Sequence, residues 1–236
     1  MLKINSKSLA VVRLQMQLRQ LDYYDGLITG VFSIFTDAAV RKFQERYNLT
    51  IDGIVGQKTQ TVLNTLASNG YHTLFIHCAA SPDGLHVPAQ NVVNFHTLPV
   101  SKGGRGWSRP GYSDVIELSG KLVNIYAYNQ DNFIHEWEQT WGVHGSTLLN
   151  RNARHICYIG GLAADNKTPK DTRTPEQTET LKNYVLSELE KNPKLIISGH
   201  DYVQNKACPS FDVVEWLSQL GVPEFNIPQW SKSLRI

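Results

Sequence analysis

The chain has 236 residues, 41% of them hydrophobic and 19% charged, and a formal net charge of +2 at pH 7. This is the balance of an ordinary soluble globular protein with room for one sizeable domain and a small one. No Lys/Arg run reaches nucleic-acid-binding length, no apolar stretch approaches a membrane span, and three cysteines are too few for a disulfide framework, so all three classes are set aside.

Residues 1–68 read as an all-α unit. Leu9, Val12, Leu14, Met16, Leu18 and Leu21 mark a first helix, Ala38, Ala39, Val40, Phe43 and Tyr47 a second, and Val62, Leu63 and Leu66 a shorter third. Two similar turns separate them, Asp25-Gly26-Leu27-Ile28-Thr29-Gly30 and Asp52-Gly53-Ile54-Val55-Gly56, which makes a weak internal repeat of helix and Asp-Gly loop. Leu14-Gln15 to Leu18, the loop from Tyr24 to Phe32, Thr36 with Ala39-Val40 before Phe43-Gln44, and Asp52 to Thr59 together resemble the three-helix peptidoglycan-binding domain of cell-wall hydrolases. The resemblance implies glycan binding; helical periodicity alone also fits a cap that only packs on a larger domain.

Ala67-Ser68-Asn69-Gly70 reads as a polar linker, after which residues 69–236 alternate strands and helices as an α/β domain does. Thr73 to Cys78 is a buried strand, Val87 to Thr97 a helix, Lys102 to Pro110 a Gly-rich loop, and Tyr112 to Leu118 with Leu122 to Tyr128 a hairpin around Ser119-Gly120-Lys121. His155 to Gly161 is another strand, Thr174-Pro175 starts a helix running to Glu190, and Leu195 to Ser198 is a strand that delivers Gly199-His200. Asp212 to Leu220 is a closing helix, and the tail from Val222 to Ile236 reads only as a surface-packing segment.

Two strands thus end in histidine, at His77 and His200, where α/β proteins often place their active groups. Cys208 follows in a polar loop. If the two strands are neighbours, these three side chains can converge on one zinc ion, two imidazoles and a thiolate leaving a fourth position open for catalysis. Cys78 and Cys157 lie in apolar runs and read as buried free thiols, with Cys78 turned to the face opposite His77 by strand alternation. His72, His86, His96, His135 and His155 read as structural or surface residues.

Residues 73 to 220 resemble the type-2 N-acetylmuramoyl-L-alanine amidases, the superfamily of phage lysozymes and peptidoglycan recognition proteins. The resemblance rests on Ile76 to Ser81, Trp107 with Pro110-Gly111-Tyr112, Gly142-Val143-His144-Gly145, Ile156 to Gly161, Thr174 to Gln177, and above all Lys206-Ala207-Cys208-Pro209-Ser210-Phe211-Asp212. It implies a mixed central sheet flanked by helices, with His77, His200 and Cys208 as zinc ligands and Tyr112 and Lys206 as catalytic groups. His144 is implied as a substrate-binding residue. It further implies a modular phage endolysin cleaving the amide between N-acetylmuramic acid and L-alanine. Such a protein, acting as a monomer and lacking the apolar core of a secretory signal, waits in the host cytoplasm for release to the wall.

Two departures fall near the implied groove: Ser113-Asp114 after Tyr112, and the insert from Tyr128 to Trp141. Glu117 and Glu136 are further candidates for an assisting base. A recognition protein without turnover and a zinc peptidase acting on the stem peptide are the rival readings, and the presence of Cys208 speaks against the first.

Overall fold

In the computed structural model, which describes residues 1–67 and 70–235, three helices come first: α1 (Leu9–Gln20), α2 (Ile34–Arg46) and α3 (Gln57–Leu66). Ser8 and Ser33 cap the first two by accepting the Val11 and Thr36 N–H groups. The internal repeat has a physical cause. Gln15 on α1 and Gln44 on α2 are buried, and their Oε1 atoms accept the N–H of Gly30 at 3.0 Å and of Gly53 at 2.9 Å. Both glycines have positive φ, +71° and +69°, where a side chain would be strained. The left-handed residue is the second glycine of the first loop but the first glycine of the second, so the loops share chemistry and differ in backbone path.

The remaining elements are β1 (Thr73–Cys78), β2 (Ser81–Pro82), α4 (Ala89–Thr97), β3 (Asp114–Ile116), β4 (Leu122–Asn124), α5 (Thr147–Asn150), β5 (Ala153–Tyr158), β6 (Gly161–Leu162), α6 (Pro175–Lys191), β7 (Ile196–Gly199) and α7 (Val213–Gln219). Five strands form a sheet of order β4-β3-β5-β1-β7, parallel except for β4, which turns back on β3. This is the expected mixed, helix-flanked sheet. The strands β1, β5 and the edge strand β7 are buried throughout and read as near-continuous apolar runs because both faces are covered. Leu74, Ile76, Ile156 and Ile197 pack under α6 and α7 through Leu181, Val185 and Leu217. On the other face α4 lays Ala89 and Val92 on Val115 and Cys157.

Some bounds shift from those expected. The hairpin strand starts at Asp114, leaving Tyr112 in the preceding loop, and β5 starts at Ala153, which places His155 inside it. The tail does more than cover surface. Trp230 is 3% exposed and sits in the same core as Leu14, Ile28 and Phe32, while Arg19 of α1 donates to the Phe225 carbonyl at 2.8 Å. A lone Trp among prolines has no periodicity to announce this burial. Of the linker expected from Ala67 to Gly70, Ala67 and Gly70 are buried, and Ser68 and Asn69, with the boundary between them, lie outside the described residues. No described helix is long and apolar enough to cross a membrane.

Candidate metal centre

Strand register brings the two strand-end histidines together. Ile76 of β1 pairs with Gly199 of the parallel β7, so the next residues, His77 and His200, leave adjacent strands side by side. Their Nδ1 atoms stand 3.1 Å apart, and Cys208 Sγ is 3.6 Å from His77 Nδ1. The loop that returns Cys208 is closed by the Asp201 N–H donating to the Cys208 carbonyl at 2.8 Å and held by the Tyr158 hydroxyl on the Pro209 carbonyl at 2.7 Å. The expected convergence of His77, His200 and Cys208 is therefore present, with the three donor atoms all within 4.8 Å of one another.

The donor set fits zinc. Burial, reinforced by the neighbouring His200, holds the His77 imidazole well below its ordinary pKa, and burial lowers His200 to about 4. Both are thus neutral at neutral pH, the form in which an imidazole can ligate a metal. Burial, and then the adjacent Cys78 thiol, pushes the Cys208 thiol up, so only a bound cation makes it a thiolate. Two imidazoles and one sulfur suit zinc and not magnesium or calcium.

His200 and Cys208 open onto a groove of about 540 Å³, walled on one side by Val92 and Phe95 of α4. The Tyr112 ring lies 4.9 Å from the His77 ring between centroids, and burial raises its phenol well above the ordinary range. Lys206 is exposed and lines the same groove. His144, also exposed, stacks at 5.9 Å on Trp107, and this pair lines both the groove and a second cavity of about 450 Å³. All six expected site residues are thus gathered at one place.

The two glutamates suggested as bases are not in that wall. Glu117 accepts the Ala89 N–H at the start of α4, at 2.9 Å, and Glu136 lines the second cavity. The departures after Tyr112 are structural: Asp114 accepts from the Tyr184 hydroxyl at 2.9 Å and from Asn124 Nδ2 at 3.0 Å. The 128–141 insert is braced internally, Glu138 accepting the Asn129 and His135 N–H groups at 2.5 and 3.0 Å, and it brings Trp141 to the second cavity.

Three residues escaped the sequence reading. His96 is parallel to Trp107 at 4.8 Å and lines the groove. His155 Nδ1 lies 3.0 Å from His77 Nε2, and Gln204 Oε1 lies 2.8 Å from His200 Nε2. A histidine amid apolar strand residues and a glutamine in a polar loop carry no spacing signal.

A family model described as a putative peptidoglycan binding domain matches residues 7–63. The chain is 30% identical over 146 residues to the endolysin of Enterobacteria phage K11, spanning 61% of this chain and 83% of that protein. The endolysin of Escherichia phage T7 is 28% identical over 144 residues, with the same shares covered. Among solved structures, an N-acetylmuramoyl-L-alanine amidase from Clostridium intestinale URNW superposes with a TM-score of 0.47 at 19% identity, covering 65% of this chain and 87% of that one. At 30% identity across most of the K11 protein's length, the chain belongs to the phage endolysin family of peptidoglycan hydrolases.

Proposed function

We propose that this chain hydrolyses the amide bond between N-acetylmuramic acid and L-alanine, with zinc held by His77, His200 and Cys208. The observation that supports it most is the convergence of two imidazole Nδ1 atoms and one sulfur at the edge of a groove of about 540 Å³. Residues 1–68 hold the protein on the wall and residues 69–236 cut, so that tethering raises the local substrate concentration without a new contact at the site. The protein acts as a monomer and is held in the host cytoplasm until it reaches the wall.

Zinc bound there supplies Lewis acidity and a water of lowered pKa. The chain's own residues do the rest. Lys206 presents its ammonium to the carbonyl oxygen as that oxygen gains charge, and the Tyr112 phenol, kept protonated by burial, donates a hydrogen bond on the side of His77. His144 and Trp107 line the wall on which the substrate lies.

Digestion of purified peptidoglycan tests the reading. Newly free L-alanine amino groups, dependent on added zinc and absent in Cys208→Ala, are expected. New reducing sugar ends would mean a glycosidase, and amino groups from residues deeper in the stem would mean a peptidase.

A further inference from the structure

The two imidazoles that face the metal position do so through Nδ1, and each has its outer nitrogen occupied by another side chain. Gln204 Oε1 lies 2.8 Å from His200 Nε2, while its Nε2 donates to the His144 carbonyl at 2.8 Å. A carbonyl only accepts, so the amide cannot be turned over, and its oxygen must face His200. That oxygen in turn only accepts, which keeps a proton on His200 Nε2 and leaves Nδ1 bare.

On the other side, His77 Nε2 lies 3.0 Å from Nδ1 of His155. The His155 ring is fully buried and stacked on Phe75 at 5.4 Å. Its place is made by Gly142, where an added Cβ would come within 2.2 Å of His155 Nδ1. His155 Nε2 is buried with no partner among the described residues, so the ring's one polar contact is the bond to His77. For His77 to offer Nδ1 as a ligand it must carry its proton on Nε2 and donate to His155.

We propose that Gln204 and His155 are positioning residues: Gln204 selects the Nδ1-ligating tautomer of His200, and His155 accepts the Nε2–H that His77 carries when its Nδ1 is a ligand, so that both rings are held at the angle a shared ion needs. The proposal rests on the metal centre of the preceding section. It implies an ordered relay on each side: His144 carbonyl to Gln204 to His200, and His155 to His77. Side chains of this kind are worth roughly 10–100-fold in metal affinity.

Zinc affinity, measured by competition with a chromophoric chelator, is the test, with thermal unfolding of the metal-free proteins as the folding control. Gln204→Leu should bind zinc about 10–100-fold more weakly, and Gln204→Glu, which keeps an acceptor for His200, should recover most of that loss. In the zinc-loaded wild type, long-range proton–nitrogen correlation spectra should show His155 protonated on Nε2 alone. A His155 protonated on Nδ1, or a Gln204→Leu protein that binds zinc as tightly as wild type, would overturn the proposal. A wild type that takes up no zinc at all would instead remove the metal centre on which it rests.

Discussion

The indole Nε1 of Trp230 donates to the backbone carbonyl of Tyr202 at 3.2 Å, two residues beyond His200. The same indole is packed into the core of α1 and α2, and Lys232, in the following turn, pairs with Asp201. One side chain therefore joins the first three helices to the loop that carries His200 and Cys208. Trp230→Ala should cost about 3–5 kcal/mol of stability, as truncation of a buried aromatic does. Denaturant unfolding reads this directly, and a loss below about 1 kcal/mol would show that the tail is not part of the shared core.

The buried glutamines predict a stability effect confined to the first unit. Gln44 accepts the Gly53 N–H and donates to the Ile54 carbonyl at 3.0 Å. Gln44→Leu leaves the buried Gly53 N–H unpaired, at about 1–3 kcal/mol, while the Ile54 carbonyl keeps the Gly56 N–H at 3.0 Å. Adsorption of the protein to insoluble wall material should fall with it, while hydrolysis of a soluble muropeptide should stay unchanged.

Lys206 lines the groove without being a metal donor, so its removal should separate chemistry from metal binding. Lys206→Met is expected to lower turnover about 10²–10³-fold, the usual scale for losing one preorganised charge partner of a developing oxyanion. Zinc content by atomic emission should remain at the wild-type level. A variant that loses zinc and turnover together would place Lys206 in the support of the ligand loop instead.

Buried histidines set the acid limb of stability in the metal-free protein. Burial lowers His72 to about 3, His96 to about 4 and His155 to about 3, from an ordinary value of 6.5. Below pH 6.5 the unfolded chain therefore takes up protons that the folded chain refuses, and stability falls as pH drops from there towards 3–4. Each such group contributes a slope of about 1.4 kcal/mol per pH unit inside that window. Unfolding midpoints between pH 7 and pH 4 measure it, and His72→Leu, remote from the groove, should lower the slope by one proton's worth. A flat profile would refute the assignment of these rings as neutral in the fold.

What the amino-acid sequence determined by itself is local and chemical. The 3.6-residue spacing of Leu14, Leu18 and Leu21, the Thr174-Pro175 helix start and the apolar runs of β1, β5 and β7 specify elements, because periodicity and capping act over a few residues. His77, His200 and Cys208 were legible as donors for the same reason, since their residue types carry the chemistry wherever they lie. Only the tertiary structure decided that they meet, because that depends on the pairing of Ile76 with Gly199 across more than a hundred residues. It also decided that His155 and Gln204 stand behind the donors and that Trp230 closes the core of the first helices. Those roles are properties of register and burial, which no neighbouring residue encodes.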